Sequence, residues 1–356
     1  MLGFIHEIRI VCCIFVMVLL SSCSATSYYS QSVAGQLELI SLQRNLNEVM
    51  NSKDTPVDLK ERLNKVLEIR DFASEVLKLP NNNSYRSYAD IGRKFIVWNV
   101  FATPELSLQP HQSCFLFIGC LSYRGYFKKA QAEAYKQGLE NQGYDVYLAG
   151  VAAYSTLGWF DDPILNSMLE RDDNDLARLI FHELAHQQLY IKDHSEFNEA
   201  FADAVASIGL DYWLEVTNTS EMKAKYARKL AREEEFNMLI LNYQKRLEKL
   251  YDSGVTEEVK RSKKINTFIE LKSYYQALRS SWGGYDGYDN WFKDNLNNAK
   301  LAAVSTYRNL VPLFLLAYES SGEDIERFFA RARKIGKCDE SKRLTLLRSE
   351  SPQIEC

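Results

Sequence analysis

The spacing of apolar side chains divides the first half of the chain into two helical regions separated by a strand-forming region. Residues 33–80 carry apolar side chains at helical spacing, interrupted at Pro56, which predicts a helical hairpin. Residues 93–123 are rich in β-branched and aromatic side chains, a composition typical of strands and loops. Residues 126–143 return to helical spacing, and the stretch 144–150 indicates another short strand.

The second half of the chain is predicted to be almost entirely helical. Helical spacing runs over 164–190, and the charge-rich segment 218–281 is expected to form a two-helix arm packed on the core. A C-terminal helical part covers 282–356. Together the two halves indicate the α+β class, mostly α-helical, with a small β-sheet that leads into a long helix and with additional helical regions.

The N-terminus has the pattern of an export signal. The apolar run Ile10–Leu20 is too short for a membrane-spanning helix of about twenty residues, but it suits the apolar region of a signal peptide. The residues Leu20-Ser21-Ser22-Cys23 resemble the lipobox of bacterial lipoproteins, in which the cysteine is lipidated and becomes the new N-terminus. We therefore expect a signal peptide over 1–22 and a lipid anchor on Cys23 that attaches the protein to the membrane.

This signal predicts where the protein lies and how its mature part is organised. A polar tether over 23–32 would connect the anchor to one domain over 33–356 that faces the periplasm of a bacterial cell envelope. The residue after Cys23 is Ser24 rather than Asp, and in such lipoproteins this implies transport to the outer membrane. The formal net charge is −4, from 43 basic and 47 acidic residues, so the composition predicts no nucleic-acid partner.

Cysteine usage is compatible with an oxidising compartment. Two of the seven cysteines fall in the signal, and Cys23 would carry the lipid. The remaining four allow three pairings and are Cys114, Cys120, Cys338 and Cys356. We expect a disulfide between the first two, which would close a short loop, and another between the last two, which would tie down the C-terminal tail. The alternative is a four-cysteine zinc site, whose usual separations these cysteines do not resemble.

The stretch FHELAHQQLYIKDHSEFNEAFAD, residues 181–203, carries the candidate chemistry. His182 and His186 are four residues apart, so on a helix both imidazoles point from one face about 6 Å apart and can hold one Zn²⁺. Glu183 is rotated by about 100° from His182, so it can lie beside the metal without binding it. That position suits a base that takes a proton from zinc-bound water.

A third protein ligand is needed, and Asp193, His194 and Glu199 are the candidates. Asp193 is one position away from the place that an aspartate ligand would take, and His194 lies where the first helix should already have ended. Ser195 is predicted to cap a second helix, on which Glu199 and Asp203 share one face. We therefore expect Glu199 to bind the metal and Asp203 to accept the free N–H of a ligand histidine.

HExxH followed by NExxxD resembles the gluzincin peptidases, whose third zinc ligand is the glutamate of the second motif. The spacing differs, because Glu199 follows His186 at a shorter interval than in thermolysin-like enzymes. Several segments also resemble a bacterial family of predicted zinc-dependent aminopeptidases, often lipoproteins: CFLFIGCLSYRGYF (114–127), GVAAYSTLGWFDDPIL (150–165), HELAHQ with FNEAFAD, and NNAKLAAVSTYRNLVPLF (297–314). The resemblance implies a zincin-like core over 93–215, one Zn²⁺ and a peptide substrate.

These features predict a zinc-dependent peptidase, expected to be an aminopeptidase, in which Glu183 activates zinc-bound water. A further donor would stabilise the oxyanion, and Tyr307 and Tyr154 are the candidates. The strand over 146–154 would be either an edge strand that pairs with substrate or an internal strand. The alternative functions are an endopeptidase, and an envelope binding or quality-control lipoprotein that keeps the zinc helix as structure or acts on misfolded proteins.

Overall fold

The computed structural model describes residues 26–115, 119–305, 310–349 and 356, and these form a mostly helical fold with three small sheets. The α+β class expected from the sequence is confirmed. Among the helices of these ranges, none combines the length and the apolar character needed to cross a membrane. The predicted signal peptide, Cys23 and Tyr307 lie outside the described residues and stay predictions.

The N-terminal part consists of helix α1 (26–42), helix α2 (Leu46–Asn51) and helix α3 (Val57–Glu75). Residues 26–32, which the sequence suggested as part of a polar tether, are therefore helical. The apolar side chains of α1 include Leu39, which is buried in the main core. The helix thus packs on the domain.

The end of α3 is fixed to the following loop by Arg70, whose side chain is fully buried. Its guanidinium donates a hydrogen bond of 2.8 Å to the carbonyl oxygen of Ser84. The same loop contacts the candidate metal-binding segment, because Asn82 donates to the side-chain oxygen of Gln187 at 2.7 Å and Gln187 donates to Ser84 Oγ at 3.2 Å. Since Gln187 directly follows His186, this loop supports the position of the second histidine.

Short strands form the three sheets of the described ranges. They are β1 (Arg44–Asn45), β2 (Ser87–Ala89), β3 (Val97–Pro104), β4 (Ser113–Phe115), β5 (Gly119–Leu121), β6 (Arg124–Tyr126), β7 (Tyr144–Val151) and β8 (Ile164–Leu165). The strand orders are β1-β2-β8, β6-β3-β7 and β4-β5. All pairings are antiparallel except the parallel pairing of β2 with β8.

The sheet β6-β3-β7 has two different faces. Val100, Ala102 and Val146 pack in an apolar cluster with helix α4 (Lys129–Glu140). The alternate positions of β3, which begin with Val97, line a cavity on the other face. Within the described part, β7 pairs only with β3 and is an edge strand of this sheet, and its pairing with a substrate stays a prediction.

Helices α5 (Asp173–Gln188) and α6 (Ser195–Thr217) form the centre of the domain and carry the histidine and glutamate motifs. Helix α5 begins at Asp173 rather than near residue 164, because the preceding residues form β8 and a 3₁₀ turn over Asn166–Met168. The carboxylate of Asp172 caps α5 by accepting the N–H of Asp175 at 2.8 Å. The acidic first turn also interacts favourably with the helix dipole.

The charge-rich segment forms helices α7 (Ser220–Tyr251) and α8 (Glu257–Ser281), which share an apolar cluster. Lys264 of α8 lies 2.6 Å from the carboxylate of Asp145 in β7, so the arm is tied to the sheet. The C-terminal helices are α9 (Asp289–Lys293), α10 (Asn298–Ser305), α11 (Val311–Glu319), α12 (Ile325–Gly336) and α13 (Glu340–Arg348).

Candidate metal centre and cavity

The two histidines of the first motif meet on one side of α5. Their Nε2 atoms lie 3.1 Å apart. His182 is partly buried and His186 is only 6% exposed. The four-residue spacing therefore brings two imidazole nitrogens to one point, as a shared metal ion requires.

Glu199 of α6 completes this group. Its Oε2 lies 3.3 Å from Nε2 of His182 and 3.6 Å from Nε2 of His186. These three residues form a group that could bind a metal ion, with their ligand atoms within 4.8 Å of one another. Four ligands placed tetrahedrally at about 2.0–2.1 Å from a zinc ion would be about 3.3–3.4 Å apart, so the observed separations fit zinc closely.

The other two candidate ligands are placed elsewhere. The carboxylate of Asp193 accepts the backbone N–H of Cys120 at 2.9 Å and thereby joins the loop between α5 and α6 to strand β5. Asp193 itself adopts a left-handed backbone conformation with φ of 66°. His194 precedes α6 at its N-cap position, and Ser195 is the first helical residue rather than the cap.

Asp203 lies behind the first histidine, as the second motif led us to expect. Its Oδ1 is 3.1 Å from Nδ1 of His182, so the carboxylate accepts the ring N–H that is not directed at the metal position. The equivalent Nδ1 of His186 is buried and makes no hydrogen bond to any described residue. Only one of the two histidines is therefore oriented by a carboxylate within the described part of the chain.

Asn198 of α6 fixes the loop that precedes this helix. This side chain is 1% exposed. Its Oδ1 accepts the backbone N–H of Ile191 at 2.8 Å, and its Nδ2 donates to the carbonyl oxygen of Ile191 at 2.7 Å. Because Glu199 is the next residue, this clamp holds the start of α6 with its carboxylate facing the histidines.

The electrostatics of the group favour an anionic carboxylate between two imidazoles. Burial by itself raises the pKa of the Glu199 carboxyl, but the charges and hydrogen bonds of His186 and His182 lower it well below its usual range. Burial by itself lowers the pKa of His182, and the hydrogen bonds to Asp203 and Glu199 outweigh it and raise that pKa well above the usual value. The carboxylates thus favour positive charge at the position where a cation would bind.

The group opens into a cavity of about 630 Å³, a volume typical of pockets that enclose a small ligand. Glu183 lines this cavity together with His182, His186 and Glu199. The base predicted from the sequence and the three predicted ligands therefore face the same space. In this arrangement an attacking water, a carbonyl group and the Glu183 carboxylate can meet beside a bound cation.

Three tyrosines of the cavity are candidates for the oxyanion donor. Tyr154, expected from the sequence, lines the cavity, and burial raises its pKa to about 12. Tyr123 and Tyr190 also line it, and burial and the nearby Glu199 raise the pKa of each. All three hydroxyls therefore keep their protons near neutral pH and can donate hydrogen bonds.

Sequence reasoning missed Tyr123 and Tyr190. Tyr190 follows His186 by one helical turn, a spacing that could have indicated it, although α5 ends at Gln188. Tyr123 belongs to the segment between β5 and β6, and no local pattern connects it with the motif. Both expected disulfides are present, between Cys114 and Cys120 and between Cys338 and Cys356.

Comparison with known proteins gives a family but no individual relative. No curated protein and no solved structure matches the chain significantly. A family model described as "Putative aminopeptidase" matches residues 27–347, which is most of the chain and includes the histidine motif, the glutamate motif and the cavity. The chain belongs to this aminopeptidase family.

Proposed function

We propose that the protein is a zinc-dependent peptidase whose metal is held by His182, His186 and Glu199. The observation that carries this proposal is the meeting of these three ligand atoms in a cavity that Glu183 also lines. Family membership supports peptide hydrolysis, and in particular the removal of residues from the amino terminus. The separations of the ligand atoms fit zinc better than a larger cation with oxygen ligands.

Zinc, when bound, lowers the pKa of a water molecule toward about 7 and polarises the substrate carbonyl group. Glu183 would take the proton of the attacking water and then deliver it to the departing amine. Asp203 would hold the ring of His182 in the orientation that directs Nε2 toward the metal. A tyrosine hydroxyl would donate to the developing oxyanion. The candidates are Tyr307, predicted from the sequence, and the cavity residues Tyr123, Tyr154 and Tyr190.

A second candidate function, an endopeptidase, is favoured by one observation. Among the described residues of the cavity, the only carboxylates belong to Glu183 and Glu199. Both are assigned to the reaction, so no further carboxylate is left in this lining to bind a free α-amino group. Peptides that differ only in a free or an acetylated amino terminus separate the two functions, because an aminopeptidase cleaves the free form alone.

We further propose that a lipid on Cys23 anchors the protein, with the outer membrane as its location and the domain facing the periplasm. Residue 26, the first described residue, is already part of helix α1, so such an anchor would lie only a few residues from the domain. Mass spectrometry of the mature N-terminus tests this proposal. A Cys23→Ala variant should leave the membrane fraction, and a variant that stays there would contradict it.

The zinc mechanism is tested by measuring metal content and peptide turnover of the wild type beside a Glu183→Gln variant. We expect one zinc per chain in both proteins, and a loss of turnover of at least a hundredfold in the variant. Glu196→Gln is the matched control, since Glu196 is an exposed glutamate at the start of α6. Absence of stoichiometric zinc in the wild type, or undiminished turnover in the Glu183 variant, would refute the mechanism.

A further inference from the structure

The cavity extends beyond the metal group and has walls from three other parts of the fold. Helix α1 contributes Tyr28, Tyr29, Ser32 and Gln36. The open face of the sheet β6-β3-β7 forms another wall, and the loop between β7 and β8 forms the third. A substrate that reaches the metal position would therefore contact side chains that lie far from the motif in sequence.

These walls are dominated by aromatic rings. Tyr28 stacks on Phe115 with ring centroids 5.3 Å apart, and Phe127 meets Tyr154 edge to face at the same distance. All four line the cavity. Ring faces and edges of this kind bind apolar side chains through burial and aromatic contact.

Two further rings are exposed to solvent on the loop between β7 and β8. The side chains of Trp159 and Phe160 line the cavity and are 71% and 50% exposed. The loop is held in place by the buried carboxylate of Asp162, which accepts the N–H of Thr156 at 2.9 Å and its hydroxyl at 2.8 Å. Large apolar surfaces are thus exposed to water on a loop that is held in place. Covering an apolar ligand would remove these surfaces from water, which is favourable.

The few charged side chains of the cavity also favour an apolar ligand. No Lys, Arg or Asp occurs among the described residues that line it, and its carboxylates are Glu183 and Glu199. A basic or acidic side chain that entered would lose water without gaining a dedicated counter-ion. In the α1 wall, the side-chain oxygen of Gln36 makes no hydrogen bond to a described residue. This oxygen can accept a hydrogen bond from a substrate N–H.

We propose that the cavity selects peptides that carry an aromatic or large aliphatic side chain beside the cleaved bond. Trp159 and Phe160 cover that side chain, and the wall from α1 completes the apolar surface. This specificity rests on the proposed peptidase function and adds its substrate class. It also gives helix α1 a direct part in substrate binding.

The first test uses the full-length, zinc-loaded protein and a series of peptides that differ at one position beside the cleaved bond. Phe and Leu are expected to give a kcat/KM at least about tenfold above that of Lys and Glu, with Ala between them. Each peptide is assayed with a free and with a blocked amino terminus, so that the result does not depend on exopeptidase action. Equal rates across the series, or a preference for Lys or Glu, would overturn the proposal.

Variants of the walls provide the second test. Trp159→Ala should lower kcat/KM for the Phe peptide severalfold more than for the Ala peptide. Tyr274→Ala is the matched control, because Tyr274 is a 61% exposed aromatic residue on the arm helix α8, and the substitution should change neither rate. Gln36→Glu should raise the relative rate of the Lys peptide, since it adds the missing counter-ion to the α1 wall. An unchanged Phe-to-Ala ratio in Trp159→Ala and an unchanged Lys rate in Gln36→Glu would contradict the assignment.

A binding measurement separates failure of this inference from failure of the peptidase mechanism. Calorimetry with the Glu183→Gln protein compares the Phe and Lys peptides without turnover. Tighter binding of the Phe peptide supports the proposed preference for apolar side chains. If the wild type then hydrolyses no peptide, only the proposed peptidase function is refuted. Hydrolysis by the wild type with equal binding of both peptides would refute the cavity assignment and leave the peptidase standing.

Discussion

The guanidinium of Arg178 on α5 lies 3.0 Å from the carboxylate of Glu233 on α7. Arg178 is one helical turn before His182, so this ion pair joins the arm to the helix that carries the candidate metal ligands. Burial by itself lowers the pKa of Arg178, but the charges of Glu233 and Asp203 outweigh it and raise that pKa. The charge of Arg178 therefore interacts both with the arm, through Glu233, and with Asp203, the carboxylate that orients His182.

Removal of the negative charge of Glu233 on the arm should weaken metal binding. In a Glu233→Gln variant, Arg178 loses its ion-pair partner. Its charge is then expected to act more strongly on Asp203 and to weaken the hydrogen bond between Asp203 and His182. We expect zinc affinity to fall by about threefold to tenfold, less than the roughly 10–100-fold loss typical when a direct partner of a ligand is removed. Competition with a chromogenic chelator measures the affinity. Glu234→Gln, at an exposed neighbouring glutamate, is the control, and an equal effect in both variants would disprove the connection.

The clamp formed by Asn198 should stabilise both the domain and its metal site. Asn198→Ala removes two hydrogen bonds to the backbone of Ile191 and leaves those groups without their partner. We expect a loss of about 2–4 kcal/mol in the free energy of unfolding, together with weaker zinc binding because Glu199 is the next residue. Urea denaturation gives the first value and metal competition the second. The exposed Asn242→Ala on α7 should change neither, and a variant as stable as the wild type would rule out the clamp.

The buried carboxyl of Asp162 predicts a pH dependence of stability. Burial raises the pKa of Asp162 from 3.8 to about 6, so between these values the folded state holds a proton that the unfolded state releases. The contribution of Asp162 to the free energy of unfolding should therefore be largest below pH 4 and fall as pH rises through about 6, by up to about 3 kcal/mol at about 1.4 kcal/mol per unit.

Asp162→Asn should abolish this contribution, because the amide does not titrate and its oxygen can still accept the N–H of Thr156. The measurement is urea denaturation at intervals between pH 4 and 7 for the variant and the wild type. Asp161→Asn alters the adjacent exposed carboxylate and should keep the wild-type slope. Parallel curves for Asp162→Asn and the wild type would show that Asp162 does not cause the dependence.

Close packing at Gly209 predicts that even a methyl group is destabilising there. A Cβ at this position on α6 would lie 2.5 Å from Leu77 Cδ1 and 2.9 Å from a ring carbon of Phe181. The helix propensity of alanine adds about 1 kcal/mol, but overpacking of a core costs about 1–3 kcal/mol, so we expect a net loss. In Gly138→Ala on α4, a Cβ would meet no atom within 4 Å, and this control should gain stability. Thermal denaturation compares the two, and a stabilised Gly209→Ala would contradict the packing.

Local periodicity accounts for the parts of the site that could be predicted from the sequence. The spacing of His182 and His186, and that of Glu199 and Asp203, places each pair on one helical face whatever the rest of the fold does. The start of the first of these helices was predicted wrongly, because helical spacing indicated a helix from residue 164, whereas residues 164–168 form a strand and a 3₁₀ turn. The apolar residues before Asp173 also have helical spacing, so the pattern gave no sign that the helix begins only at Asp173.

The extent of α1 shows the limit of composition as a guide. A polar segment rich in serine and tyrosine predicted a tether over 23–32, yet residues 26–32 are helical. The ring of Tyr28 packs against Phe115 and Tyr126, which lie far along the chain. Such contacts offset the weak helix propensity of the segment, and only the folded chain supplies them.

The sequence by itself predicted the mostly helical fold class, and positions within one or two helical turns predicted the histidine pair, the adjacent glutamate and the pair of Glu199 with Asp203. Only the tertiary structure decided that Asp203 meets His182 rather than His186, and that Asn198 holds the loop before Glu199. It also decided that Tyr123 and the tyrosines of α1 reach the cavity. Those relationships depend on how α5, α6, the sheet and α1 pack together, and contacts between residues far apart in sequence leave no periodic pattern in the chain.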